Sequence, residues 1–177
     1  MEKGVAVKIR RANEGDLAAI QRIYNDEILT GTATWDEAPW TVERRREWLA
    51  GHDDLTPILV AEAANGDVAG FAYLSRMSDK SGWRFTREDT IYLAPAYRGM
   101  GVGQVLLQAL LDEARGIGLR LIAASITSEN AASVALHRRC GFELVGTLRH
   151  AGFKFGRWLD TTYMQADLGD PASRDQR

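Results

Sequence analysis

Residues 88–110 read EDTIYLAPAYRGMGVGQVLLQAL, and this stretch constrains the fold more than any other. Thr90-Ile91-Tyr92-Leu93 is β-branched, aromatic and aliphatic without helical spacing, which predicts a strand. Pro95 ends it, because proline cannot donate to a sheet ladder. Gly99, Gly101 and Gly103 follow at alternate positions. Val102, Val105, Leu106, Ala109 and Leu110 then recur at i, i+3, i+4, i+7 and i+8, which predicts an amphipathic helix burying that stripe.

A strand, a glycine loop and a helix start, in that order, make an anion cradle. The first N–H groups of a helix lack internal partners, and its dipole places partial positive charge there. Glycines let a phosphate approach the backbone, and Arg98 adds a cation at the entrance. The nucleotide-triphosphate loop needs Gly-Lys-Ser/Thr, but Gly103 is followed by Gln104-Val105. The dinucleotide fingerprint is G-x-G-x-x-G, but the spacing here is G-x-G-x-G. What remains is Arg-x-x-Gly-x-Gly, written Arg98-Gly99-Met100-Gly101-Val102-Gly103.

The 177 residues fit one domain with a short tail. The expected domain spans 1–168, and the polar residues 169–177 are expected to fray. Hydrophobic residues are 45% and charged residues 26% of the chain, as in an ordinary globular protein. A net charge of −2 gives no global attraction to nucleic acid or anionic membrane. Arg44-Arg45-Arg46 lies in a helical pattern and reads as a solvated face. No apolar run reaches about 18 residues, so no membrane span is expected. The first ten residues show no apolar targeting core. A single cysteine, Cys140, forbids an internal disulfide. Together these point to the cytoplasm. His52, His137 and His150 have no metal-ligand spacing, so no metal is expected.

Along the chain, Val5–Arg10 alternates apolar and basic residues and predicts a first strand. Asn13–Asp16 opens a helix carrying Leu17, Ile20, Tyr24 and Ile28. Thr30–Trp40 is a polar and aromatic loop that either floors a pocket or packs. Thr41 caps a second helix, Val42 to about Ala50. Pro57–Ala61 and Val68–Leu74 flank an Asn65-Gly66 turn as a hairpin. A loop at 76–84 has an aromatic tip at Trp83. After the central strand and helix, Gly116 and Gly118 mark a stop. Leu119–Ile126 reads as a strand, Asn130–Arg139 as a helix, and Phe142–Leu148 with Lys154–Leu168 as a closing strand pair. The expected class is α/β: one domain with a mixed, mostly antiparallel sheet and helices on both faces.

Asn130, Ser133 and His137, spaced 0, 3 and 7, share one helical face. The segment ends Arg139-Cys140-Gly141-Phe142. With the glycine loop, this pattern resembles the GNAT N-acetyltransferase superfamily, where the position of His137 often carries Tyr. The chain is similar in particular to its phosphinothricin and methionine sulfoximine N-acetyltransferase branch. The matching pieces are Tyr24-Asn25-Asp26, the Pro57–Ala61 strand, Thr86–Leu93, the 98–103 loop, Leu136-His137-Arg138-Arg139, Gly141-Phe142 and Gly152–Asp160. The resemblance implies acetyl transfer from acetyl-CoA to the primary amine of a small amino-acid-like molecule. It implies pantetheine pairing at Ile91, Tyr92 and Leu93, and a pyrophosphate site over Gly99, Met100, Gly101, Val102, Gly103 and Gln104 beside Arg98. It also implies a cofactor contact from Asn130, substrate contacts from Glu88, Asp89 and Thr90, and a homodimer. Phe153, Phe155 and Trp158 offer an apolar surface for that dimer. The 76–84 loop departs from the branch's pattern, which leaves the amine open.

An amine must be neutral to attack a thioester, so a base is required. Glu88 is the candidate; its alternative reading is a solvated strand-end glutamate. Backbone N–H near Leu93 suits an oxyanion. His137 suits protonation of the departing thiolate, or the base role itself. An amino-acid carboxylate calls for a cation, and Arg76, Arg84, Lys154 and Arg157 are candidates. Cys140 precedes Gly-Phe and reads as core. Two other functions stay open: acetylation of a protein N-terminus or lysine, and non-catalytic acetyl-CoA binding.

Overall fold

A computed structural model describes residues 5–170, so the expected polar tail lies largely outside the described residues. Seven strands form one sheet in the order β1-β2-β3-β4-β5-β7-β6. They are β1 (Val7–Arg11), β2 (Ile58–Ala63), β3 (Val68–Arg76), β4 (Thr86–Leu93), β5 (Leu121–Thr127), β6 (Glu143–Lys154) and β7 (Arg157–Asp167). The helices are α1 (Leu17–Thr30), α2 (Val42–Ala50), α3 (Val102–Gly116) and α4 (Ala131–Arg139). Among the described residues β4 and β5 pair in parallel, and the other neighbours pair antiparallel. Parallel neighbours need a crossover, and α3 supplies it.

Helices cover both sheet faces. Leu106, Leu107, Leu110 and Leu111 of α3 are fully buried against one face, with Leu74, Ile122 and Met164. Ile20, Ile23 and Ile28 of α1 are buried against the other, with Phe71 and Tyr92. The buried stripe of α3 differs from the expected one, because Val105 is half exposed and Leu107 and Leu111 take the core. At the start of α3, a Cβ on Gly103 would lie 3.2 Å from both Leu93 and Leu136, so glycine lets the helix start sit close to β4 and α4.

β4 begins at Thr86, four residues before the apolar run that predicts it. Arg87, Glu88 and Asp89 mask the strand propensity, yet all three are at least partly buried. The closing pair also differs: Lys154 ends β6 rather than opening the last strand. Phe155 (φ 51°) and Gly156 (φ 74°) form the tight turn between β6 and β7, and two left-handed residues match a two-residue hairpin.

Arg44 and Arg46 are exposed as the solvated-face reading expects, but Arg45 is not. It is 1% exposed, and its guanidinium carbon lies 4.6, 4.2 and 4.7 Å from the ring centroids of Tyr24, Trp40 and Trp48. A guanidinium is flat and weakly hydrated, so aromatic faces can take it in. Its Nε and Nη2 have no hydrogen-bond partner, and burial pushes its pKa down.

Candidate active site

β4 and β5 stay paired from Thr86–Leu121 to Asp89–Ala124 and then separate, although β4 runs on to Leu93 and β5 to Thr127. The gap is an open cleft of about 100 Å³. Its walls are Glu88 to Tyr92 of β4, Ala124 to Thr127 of β5, Ala33 of the loop after α1, and Asn130, Ser133 and His137 at α4. Beyond Asp89 the β5-facing edge of β4 has no strand partner, while its other edge pairs with β3 as far as Leu93. Ala94 N donates to Ala69 O of β3 at 2.9 Å, so by strand alternation Tyr92 also turns its amide to β3, while Ile91 and Leu93 present theirs to anything extended that enters, as in strand addition.

The glycine loop follows the carboxyl end of β4 and leads into α3. Gly99 (φ 75°) and Gly101 (φ 81°) are left-handed, a conformation that favours glycine. A Cβ at either would meet nothing within 4 Å, so the loop surface is open. Gly101 immediately precedes Val102, the first residue of α3, and accepts from Gln104 N at 3.1 Å. The first amides of α3 face outward without intrahelical acceptors, which suits a pyrophosphate. Arg98 is not a free cation at this entrance. Its Nε donates to the Leu93 carbonyl at 3.2 Å, and its Nη2 to the Glu27 carboxylate at 3.2 Å.

Successive residues of β4 point to opposite faces. Tyr92 packs on the α1 side, and Ile91 and Leu93 on the α3 side. By the same alternation Glu88 and Thr90 face α1, and Asp89 faces α4. Glu88 is partly buried on the cleft wall. Burial first, and the nearby Asp89 second, push its carboxyl pKa up. Asp89 Oδ2 instead contacts His137 Nε2 at 3.1 Å, with the two side chains 1% and 3% exposed. His137 Nδ1 lies 2.7 Å from the Ser133 carbonyl. Burial pulls the His137 pKa down, but the hydrogen bond and charge of Asp89 with the Ser133 carbonyl outweigh it, so the net shift is upward. Asn130 caps α4, accepting from Ser133 N at 3.1 Å, while lining the cleft.

The expected carboxylate receptors do not gather here. Lys154 is 1% exposed and donates to the backbone carbonyls of Gly31 and Thr34 at 2.7 Å each, and of Glu27 at 3.5 Å. Its donors are used by the protein, so the expectation of substrate contact is corrected. Arg76 pairs with Asp53 at 3.1 Å. Arg84 reaches the Ser81 carbonyl and stacks on Phe85, and neither arginine lines the cleft. Arg157 makes two 2.7 Å bonds to Glu129. Asp89, expected to touch substrate, spends one carboxylate oxygen on His137.

The Thr30–Trp40 loop, offered as a pocket floor or as packing, brings Ala33 to the cleft wall, and sequence reasoning passed over Ser125–Thr127. That stretch had a readable signal, since ligands sit at the carboxyl ends of parallel strands and these residues end β5. Ala33 N donates to Glu27 Oε1 at 3.0 Å, and two residues on, Trp35 Nε1 ties the same loop to β5 through Thr127 Oγ1 at 3.0 Å.

An open edge between diverging parallel strands and a phosphate-ready helix start suit an extended, phosphate-bearing ligand. Residues 9–163 match the acetyltransferase (GNAT) domain. The chain belongs to the GNAT acetyltransferase family. It is 45% identical, over 94% of its length and 97% of the relative's, to an L-methionine sulfoximine/L-methionine sulfone acetyltransferase of Pseudomonas paraeruginosa. It is 40% identical to a phosphinothricin acetyltransferase from Sinorhizobium meliloti solved with acetyl-CoA, with a TM-score of 0.87, covering 92% of this chain and 89% of that one. It is 43% identical to a ribosomal-protein-alanine N-acetyltransferase from Brucella melitensis, with a TM-score of 0.88 and coverage of 91% and 99%.

Proposed function

We propose that this chain transfers the acetyl group of acetyl-CoA to the primary amine of a small amino-acid-like substrate of the methionine sulfoximine and phosphinothricin type. The observation that carries the reading is Glu88, a partly buried carboxyl of raised pKa on the wall of the β4–β5 gap. The names of the relatives supply the substrate class. Acetyl-CoA brings the activated acyl group. Ile91 and Leu93 pair with its extended arm, the 99–104 loop holds its pyrophosphate, and Asn130 touches it. Glu88 takes the proton from the attacking ammonium or amine. A base with a pKa nearer neutrality is better matched to that transfer. Backbone N–H near Leu93 meets the oxyanion, and His137 stands on the opposite sheet face for the thiolate. Thr90 borders the amine's approach.

Thiol release from acetyl-CoA, with amines offered one at a time, tests this. Release is expected with methionine sulfoximine or phosphinothricin, and none with peptides. Release with a peptide ending in N-terminal alanine alone would transfer the assignment to the protein-acetylating class, which the Brucella melitensis relative represents. A protein-only blank controls for Cys140, which is buried and whose thiol burial pushes up in pKa.

We further infer a homodimer and a cytoplasmic location. No helix among the described residues is long and apolar enough to cross a membrane, and Cys140 has no disulfide partner. For the dimer, the support is the outer strand β6 and its hairpin. Leu144, Val145, Leu148, Phe153, Phe155 and Trp158 are each at least half exposed, and an uncovered apolar edge strand invites pairing. Light scattering should give twice the chain mass. The paired change Val145→Glu and Leu148→Glu should give the single-chain mass; a wild-type monomer at micromolar concentration would remove the dimer.

A further inference from the structure

Glu27 joins the glycine-loop side of the site to the wall of the cleft. It stands in the last turn of α1 and is 9% exposed. Its Oε2 accepts from Arg98 Nη2 at 3.2 Å, and its Oε1 accepts from Ala33 N at 3.0 Å. Ala33 lines the cleft, and its carbonyl accepts from the Tyr92 hydroxyl at 3.4 Å. Arg98 is committed on one side only. Its Nε donates to the Leu93 carbonyl at 3.2 Å, and its side chain is still 52% exposed. A guanidinium carries its N–H groups on a rigid planar fork, so with Nε and Nη2 spent inward, Nη1 is left for an outside anion. The carbonyl end of a helix carries partial negative charge, and a buried carboxylate is costly unless paired. Glu27 is kept there against both effects, with Arg98 on its carboxylate and Lys154 Nζ 3.5 Å from its carbonyl. The chain also makes room for it. A Cβ on Gly31 would collide with the Glu27 carboxylate, while the Gly31 φ of −123° suits any residue, so space and not backbone conformation calls for glycine.

We propose that Glu27 is a positioning residue that couples the diphosphate of acetyl-CoA to the wall that receives the amine. The inference rests on the acetyl-transfer reading of the same cleft. Glu27 and the Leu93 carbonyl fix the plane of the Arg98 guanidinium next to the glycine loop. A diphosphate on that loop takes Nη1, and the guanidinium is pinned between two anions. The pinned guanidinium holds the Glu27 carboxylate in place. The carboxylate in turn holds the Ala33 amide, and with it the loop that forms the cleft wall. The ordering cost thus falls on cofactor binding, and the amine meets a wall already in place, which makes the two ligands bind cooperatively. Glu27 does not itself line the cleft, so it acts through Arg98 and Ala33 and not on the reacting atoms.

The test compares two acyl donors in the full chain: acetyl-CoA, and S-acetylpantetheine, which offers the same thioester and arm without phosphate. In the wild-type chain, KM for methionine sulfoximine should be about 5- to 10-fold lower with acetyl-CoA. Glu27→Gln keeps an oxygen for Ala33 N but loses the charge that holds Arg98. It should bring the two KM values within about twofold of each other. It should also weaken acetyl-CoA binding about 10-fold and leave S-acetylpantetheine binding unchanged. Arg98→Met, at a half-exposed side chain that the fold does not need, should reproduce both effects. Equal penalties on the two donors, or a wild-type KM that ignores the donor, would overturn the proposal and leave Glu27 a support for the loop alone. A second readout needs no turnover: amide hydrogen exchange over residues 31–36. Acetyl-CoA should slow it about fivefold in the wild-type chain but not in Glu27→Gln, and S-acetylpantetheine should slow it in neither. Exchange that acetyl-CoA leaves unchanged would sink the coupling even in an active enzyme. Slowed exchange without thiol release from any amine would sink the acetyl-transfer reading and leave the coupling standing.

Discussion

Glu88→Gln should lower turnover about 10²- to 10⁴-fold and leave acetyl-CoA affinity nearly unchanged. Glutamine keeps the volume and a carbonyl oxygen but cannot accept the amine's proton. The cofactor contacts proposed for β4 are made by backbone, which the substitution leaves in place. Steady-state thiol release gives the first quantity and calorimetric titration with acetyl-CoA the second; an equal fall in both would contradict the base assignment. The pH profile is a second signature. Burial and Asp89 raise the Glu88 pKa, and a base works only when ionised. The rate is therefore lost as pH falls through a midpoint above the ordinary glutamate range, and Glu88→Gln should erase that limb. The pKa of His137 is raised as well, and an acid works only when protonated, so the alkaline limb lies above the ordinary histidine range. The stability signs are opposite. A raised carboxyl pKa means the ionised form disfavours the fold, so Glu88→Gln should unfold no earlier than wild type at neutral pH. A raised histidine pKa stabilises fully below the unfolded value, and that contribution fades as pH climbs through the folded one.

What could be read from the sequence was local. The Thr41 cap of α2 and the glycine loop before α3 are each decided within a few residues, and each fell where spacing placed it. The α/β class followed from those local units in order, and the GNAT family from the resemblance of the motifs they carry. The gap between β4 and β5 was not legible, because it depends on where two strands 30 or more residues apart stop pairing. Nor were the buried cations. Arg45 and Lys154 look like surface residues in one dimension, and only the Tyr24, Trp40 and Trp48 rings or the carbonyls of α1's end make them interior. Asp89 was within reach of simple reasoning: the period of two that sets Glu88 facing α1 must send Asp89 the other way. Grouping both with substrate followed the motif and overlooked the pleat.

At Lys154 the two readings predict different losses. As a receptor for a substrate carboxylate, its removal would raise KM for amino acids and leave stability alone. The structure instead makes it a clamp between β6 and the chain leaving α1. Lys154→Met keeps most of the stem's packing but strands the Gly31 and Thr34 carbonyls, at about 1–3 kcal/mol for each unsatisfied buried group. A loss of about 3 kcal/mol would lower the melting midpoint of a chain this size by about 6–12 °C. The loop freed by that change carries Ala33 on the cleft wall, and Trp35, whose ring packs where a Cβ on Gly152 would stand. KM for the amine should therefore rise as well, whether or not the amine bears a carboxylate. Thermal unfolding, with KM compared between an amino acid and its amide, separates the cases. An unchanged midpoint with a penalty confined to the free carboxylate would restore Lys154 to the substrate, and a lower midpoint with matching penalties would make it the strut of the cleft.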